Sequence, residues 1–168
     1  MSLITDAYSR KILGWNLDKT LKAEGTIKAL KQAFKNLSTG KNRQKPIHHS
    51  DRGVNIIPMN MLNCWKKKEV KISMTENGDP RENPIAERVN GILKDEFSLF
   101  GFRDLKEAEI KTKQAIQLYN SFRPHLSIDN LTPDMAYSLT GKLRRRWKSY
   151  YPKPSNIEEE EAYVPVSC

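Results

Sequence analysis

The 168 residues include 29 Lys and Arg against 20 Asp and Glu, a formal charge of +9, and 38% are hydrophobic. That length holds roughly one domain, and the basic excess favours a polyanionic partner. No apolar run reaches the ~18 residues of a membrane span, and the start has no secretory-signal pattern. Cys64 and Cys168 stand too far apart for a disulfide scaffold or a cysteine zinc site, so a soluble, basic domain of a reducing intracellular compartment is expected.

In chain order, Leu3 and Ile4, a polar turn at Asp6–Arg10, and then Ile12, Leu13 and Trp15 predict a β-hairpin over residues 2–17. Ile27, Leu30, Phe34 and Leu37 recur at helical spacing over 21–37, with Lys28, Lys31 and Lys35 in a parallel stripe. A basic loop from Lys41 to Lys45 leads into a short strand, Pro46 to Ser50, which ends at Asp51-Arg52-Gly53. A helix over about 58–68 follows, carrying Met59, Leu62 and Trp65, and then an alternating strand, Val70 to Met74. The loop Glu76–Glu82 contains the turn formers Asn, Gly, Asp and Pro and hands over to Asn83-Pro84, a helix cap with proline at the first position. That helix runs to about Phe97. Asp104 with Glu107 resembles a capping box and opens a long helix to about Phe122, which Arg123-Pro124 ends. Thr132-Pro133 opens a last short helix to Leu139. Residues 141–168, basic and then acidic, read as a poorly ordered tail after a domain over 1–140. The alternation of strands and helices is an α/β order.

Two acids sit where acids are informative. Asp51 ends a strand at a glycine-containing turn, a common place for functional groups in α/β sheets. Glu87 lies in the first turns of its helix, with Ile85, Val89 and Ile92 on one face and Glu87, Asn90 and Lys94 on the other. Gly91 leaves a gap beside them. A carboxylate, an amide, a gap and a cation in a row suit a metal-bound phosphodiester, in which carboxylates hold Mg²⁺ and a lysine holds a neighbouring phosphate. A plain solvated helix face explains the same residues.

Thirty-five residues separate Asp51 from Glu87, and the flanks read His49-Ser50-Asp51-Arg52-Gly53 and Asn83-Pro84-Ile85-Ala86-Glu87-Arg88. With Asp6-x-x-Ser9-Arg10-x-Ile12-x-Gly14-Trp15, Tyr119-Asn120-x-x-Arg123-Pro124-His125 and Thr132-Pro133, these segments resemble the DDE transposases of bacterial insertion sequences, the IS-three family related to retroviral integrases. The resemblance spans about residues 2–140. It implies a ribonuclease-H-like α/β fold, a mixed sheet with flanking helices, and metal-dependent DNA cleavage and joining. It also implies Asp51 and Glu87 as catalytic ligands of Mg²⁺, with Mn²⁺ as substitute, and Lys94, Asn90, Arg52 and Arg88 as DNA contacts. The family's first aspartate lies on a strand before Leu3 and Ile4, so the resemblance implies that this first strand is missing and the core N-terminally truncated. Asp6 matches a family position outside the triad. The implied partners are transposon-end and target DNA, a further copy or a full-length transposase, and no membrane; the implied location is the bacterial cytoplasm, at the nucleoid. Two other readings stay open: a non-catalytic DNA-binding remnant and a ribonuclease-H-like nuclease.

His48 and His49, adjacent on a strand, face opposite ways and cannot share one metal. The Lys28, Lys31 and Lys35 stripe with Lys41, Arg43 and Lys45 is either a phosphate-contacting surface or a plain solvated one. Trp65 reads as core. Arg144-Arg145-Arg146 before Trp147, Tyr150 and Tyr151 is either a nucleic-acid patch or a basic tail, and Glu158–Glu161 is solubilising.

Overall fold

A computed structural model describes residues 1–20, 23–37, 46–50, 65, 70–74, 84–144 and 146. Strand β1 (Ser2–Thr5) pairs antiparallel with β2 (Ile12–Asn16), as the alternating apolar residues predict. Helix α1 (Ala23–Asn36) follows, then the parallel strands β3 (Ile47–Ser50) and β4 (Lys71–Met74). Helices α2 (Pro84–Asp95) and α3 (Leu105–Phe122), a 3₁₀ turn at Leu126–Ile128 and helix α4 (Pro133–Tyr137) complete the described elements. In place of one mixed sheet, the described strands form two separate pairs, β1–β2 and β3–β4. The expected helix over 58–68 lies outside the described residues except for Trp65, and so do the loop before Pro84 with its cap Asn83 and the chain from Trp147 onward. Among the described residues no helix is long and apolar enough to cross a membrane.

The β1–β2 hairpin is buried on both faces. Its register pairs Ile4 with Gly14 and Thr5 with Ile12, which leaves Leu13 as an extra residue in β2. Such a bulge puts Leu13 on the same side of the strand as Gly14, the partner of Ile4. Leu13 therefore joins Ile4 in a core with Ile27, Ala29, Leu30, Ala33 and Trp65, while Ile12 joins Val89, Ile92, Leu93, Ala115, Ile116 and Tyr119 on the opposite side. One face of the hairpin packs on α1 and the other on α2 and α3. The turn between the strands is closed by Asp6: its fully buried carboxylate accepts the Ser9 N–H at 2.8 Å and the Ser9 hydroxyl. Arg10 completes the turn at φ 66°, in the left-handed region.

Helix α1 approaches β2 more closely than its large apolar residues suggest. A Cβ at Gly14 would lie 2.1 Å from the Ala29 carbonyl oxygen and 2.7 Å from the Ala33 amide nitrogen. Alanines one turn apart on α1 and a glycine on the strand let the two backbones touch. The ends of the later helices follow the sequence closely. The Asp104 carboxylate accepts the Glu107 N–H at 2.7 Å, and Glu107 reaches back to the Arg103 N–H at 3.0 Å. Thr132 Oγ1 accepts the Met135 N–H at 3.3 Å, with Pro133 opening α4.

Candidate functional site

Helix α2 buries Val89, Ile92 and Leu93 and packs Ile85 and Phe97 against the same core. Glu87, Arg88 and Lys94 point outward and are exposed. The charges suit their places in the helix: a carboxylate in the first turn and a cation in the last both complement the backbone dipole. Neither Glu87 nor Lys94 has a hydrogen bond or ion pair among the described residues, so both charges face solvent. Asn90 stands between them but is half-buried, and its amide donates to the Ala86 carbonyl at 2.9 Å within the helix. The expected row is thus present, with Asn90 turned back onto its own backbone.

Gly91 differs from Gly14 in a telling way. A Cβ at Gly91 would meet only Asp95 Oδ2, at 3.9 Å, and its φ is an ordinary helical one. Glycine inside a helix costs about 0.5–1 kcal/mol relative to alanine. Among the described residues, neither packing nor backbone strain calls for it, and its effect is an open notch between Glu87 and Lys94.

The strand side of the expected site is described up to its last residue before the acid. β3 ends at Ser50, and Asp51 and Arg52 lie outside the described residues. The two histidines divide as strand alternation requires. His48 is 7% exposed with its ring 5.2 Å from Trp65, and burial with the neighbouring His49 pushes its pKa down to about 4. His49 is exposed, its Nδ1 3.0 Å from the Ser73 hydroxyl across the β3–β4 ladder. Trp65, 1% exposed, belongs to the core. Among the described residues no three His, Cys, Asp or Glu side chains gather as a metal cluster. Lys28, Lys31 and Lys35 are all exposed on α1, and Lys41, Arg43 and Lys45 lie outside the described residues.

The Tyr119–His125 motif proves to be a tie between α3, the hairpin and α2. Asn120 Oδ1 accepts the Ile12 N–H at 2.9 Å and its amide donates to the Ile12 carbonyl at 3.0 Å, serving β2 as a neighbouring strand would. The Tyr119 hydroxyl donates to the Arg10 carbonyl at 3.0 Å, and burial pushes its pKa up. Arg123 grips both oxygens of Glu96 at 2.6 Å, which lowers that carboxyl's pKa. His125 stands edge-on to Tyr119 with centroids 5.1 Å apart, and burial with Arg123 brings its pKa down to about 4. The sequence order of these residues is legible, but their partners lie on elements far away in the chain.

Two family models, both described as integrase core domain, match residues 1–80 and 68–133. A transposase for insertion sequence element IS986/IS6110 of Mycobacterium tuberculosis is 26% identical over 137 residues, covering 79% of this chain and 49% of that protein. A transposase for insertion sequence element IS150 of Escherichia coli is 29% identical over 134 residues, covering 79% of this chain and 46% of that protein. A transposase for insertion sequence element IS629 of Shigella sonnei is 24% identical over 124 residues, covering 73% and 40%. The chain spans about half the length of the curated relatives it matches.

Proposed function

Because this chain belongs to the integrase-core family of insertion-sequence transposases, we propose that it acts on DNA in transposition, as part of a metal-dependent enzyme that cuts and joins strands. The fold is then ribonuclease-H-like. Asp51, next after β3, and Glu87, in the first turn of α2, are the catalytic carboxylates that would hold Mg²⁺ or Mn²⁺. When bound, the ion would polarise the scissile phosphate and make the attacking water or 3′-hydroxyl oxygen more nucleophilic at neutral pH. The fit rests on the Glu87 side: an exposed carboxylate without a partner among the described residues, beside the notch at Gly91.

The protein's own residues do the positioning. Lys94, two turns along the helix from Glu87, neutralises a phosphate as a point charge. Arg88 and Arg52 add charge beside the two acids, and Asn90 lines the groove through the carboxamide oxygen that its bond to Ala86 leaves available. Gly91 lets the sugar–phosphate backbone come within contact of the helix. In cleavage, a water oxygen bonds to phosphorus, the P–O3′ bond breaks, and the released O3′ takes a proton. In joining, that 3′-oxygen bonds to a phosphorus of the target strand, loses its proton, and displaces the target's own O3′. One phosphodiester replaces another, so the joining step needs no energy-rich co-substrate. This work belongs in the cytoplasm at the nucleoid.

The observation that carries this reading is the open face of α2. Its test is Mn²⁺ titration followed by electron paramagnetic resonance, run beside DNA binding on the same samples. We expect weak Mn²⁺ binding that Asp51→Asn and Glu87→Gln each abolish, and that Lys94→Ala retains while losing DNA affinity. Mn²⁺ binding that survives Glu87→Gln unchanged refutes the assignment.

A further inference from the structure

The segment after α4 lies across the end of the hairpin. The Tyr8 hydroxyl, from the hairpin turn, donates to the Gly141 carbonyl at 2.7 Å. Five residues on, the Arg146 N–H donates to the Leu126 carbonyl at 2.9 Å, and its guanidinium meets Asp129 at 2.7 Å. Between these anchors Leu143 is half-buried, while Lys142 and Arg144 on either side are exposed. In the hairpin turn, Arg10 bonds to the Ala7 carbonyl and reaches the Ser127 hydroxyl at 3.4 Å.

Apart from Asp6, which is buried in the turn and accepts from Ser9, the carboxylates around this end are each matched by a cation. Asp129 is taken by Arg146, Asp134 by Lys11 at 2.9 Å and by the Ser121 hydroxyl at 2.7 Å, and Glu96 by Arg123. Each of these carboxylates is already spent on one cation. Lys142 and Arg144 are left without an ion-pair partner among the described residues. They project from a backbone pinned at two points, so docking an anion there costs less ordering entropy than at a free tail.

We propose that the strap, described at residues 141–144 and 146, is a second DNA-contact surface, which holds duplex phosphates at the hairpin-turn end through Lys142 and Arg144. It uses residues other than those of the α2 face and needs no metal. It rests on the reading above that DNA is the partner. Contact with the phosphate backbone alone makes it indifferent to base sequence.

The experiment is fluorescence anisotropy of a labelled duplex with the full chain, across a salt series without divalent metal. Each phosphate contact adds about 0.9 to the slope of log affinity against log salt. The double variant Lys142→Ala/Arg144→Ala is expected to lower that slope by about 1.8, which is about a 60-fold loss of affinity at ~0.1 M salt. Lys106→Ala/Lys113→Ala removes the same charge from exposed positions on α3, and should change affinity less than about threefold. Both variants should melt with the unaltered protein. The proposal is overturned by an unchanged slope in the first variant, or by an equal loss in the second. If the unaltered chain binds no duplex even at ~50 mM salt, the DNA reading itself falls, and the strap proposal with it.

Discussion

Replacing Gly91 with alanine should stabilise this protein and weaken its hold on DNA. The new Cβ would find only Asp95 Oδ2, at 3.9 Å, so nothing among the described residues has to move. Removing glycine's extra backbone freedom from a helix interior gains about 0.5–1 kcal/mol. For a chain of this size that raises the melting temperature by about 1–4 °C. The methyl group would fill the notch between Glu87 and Lys94 and hold a phosphate away from the helix. Losing one phosphate contact costs about eightfold in affinity at ~0.1 M salt. Thermal melts and duplex anisotropy on one preparation read both effects. Gly14→Ala is the counter-case, since its Cβ would fall 2.1 Å from the Ala29 oxygen; it should destabilise by about 3 kcal/mol or more. A Gly91→Ala protein with higher stability and unchanged DNA affinity would refute the reasoning, because the notch would then admit nothing.

Asn120→Ala strips both backbone partners from Ile12 inside the core, and should cost about 2–4 kcal/mol in urea unfolding; a loss below about 1 kcal/mol would mean that water replaces the amide. The pH profile should fall on the acid side. His48 and His125 have folded pKa values near 4 against an ordinary 6.5, so between those values the unfolded chain binds more protons than the folded one. Stability is then fully present above about pH 6.5 and declines towards pH 4 by up to roughly 1.4 kcal/mol per pH unit for each histidine. Melting temperatures between pH 7 and 4.5 check this, and the decline should be shallower in His48→Phe; identical profiles would show that His48 is not held neutral.

Local patterns wrote themselves plainly into the sequence. The caps at Asp104 and Thr132 follow from side chains that reach amides three residues ahead, and the alternation of His48 and His49 follows from the pleat of one strand. Features that depend on distant partners did not show. The bulge at Leu13 lies where α1 meets β2, and α1 comes close because Ala29 and Ala33 are small, which adds nothing to a hydrophobic periodicity. Asn120 looks like a surface amide until β2 lies beside it. Composition says nothing of the Tyr8 and Leu126 bonds that pin the strap, since both are made to backbone groups that every residue has. At the candidate site, the charged face of α2 was legible from the helical wheel. The inward turn of Asn90 was not, because its bond to Ala86 is a rotamer choice.

The clamp of Asn120 on Ile12 also sets a schedule for synthesis. The two residues are 108 positions apart, so the hairpin is translated long before the helix that closes it. At the ~5–20 residues per second of a ribosome, β2 waits about 5–20 s with one face and two backbone groups uncovered. During that interval α1 can cover the other face, since it follows the hairpin directly. The first stable unit on the ribosome is therefore β1–β2–α1, with Ile12 and Trp15 exposed to chaperones until α3 emerges. A nascent chain arrested before Asn120 should bind trigger-type holdases through that face, and one arrested well after His125 should release them.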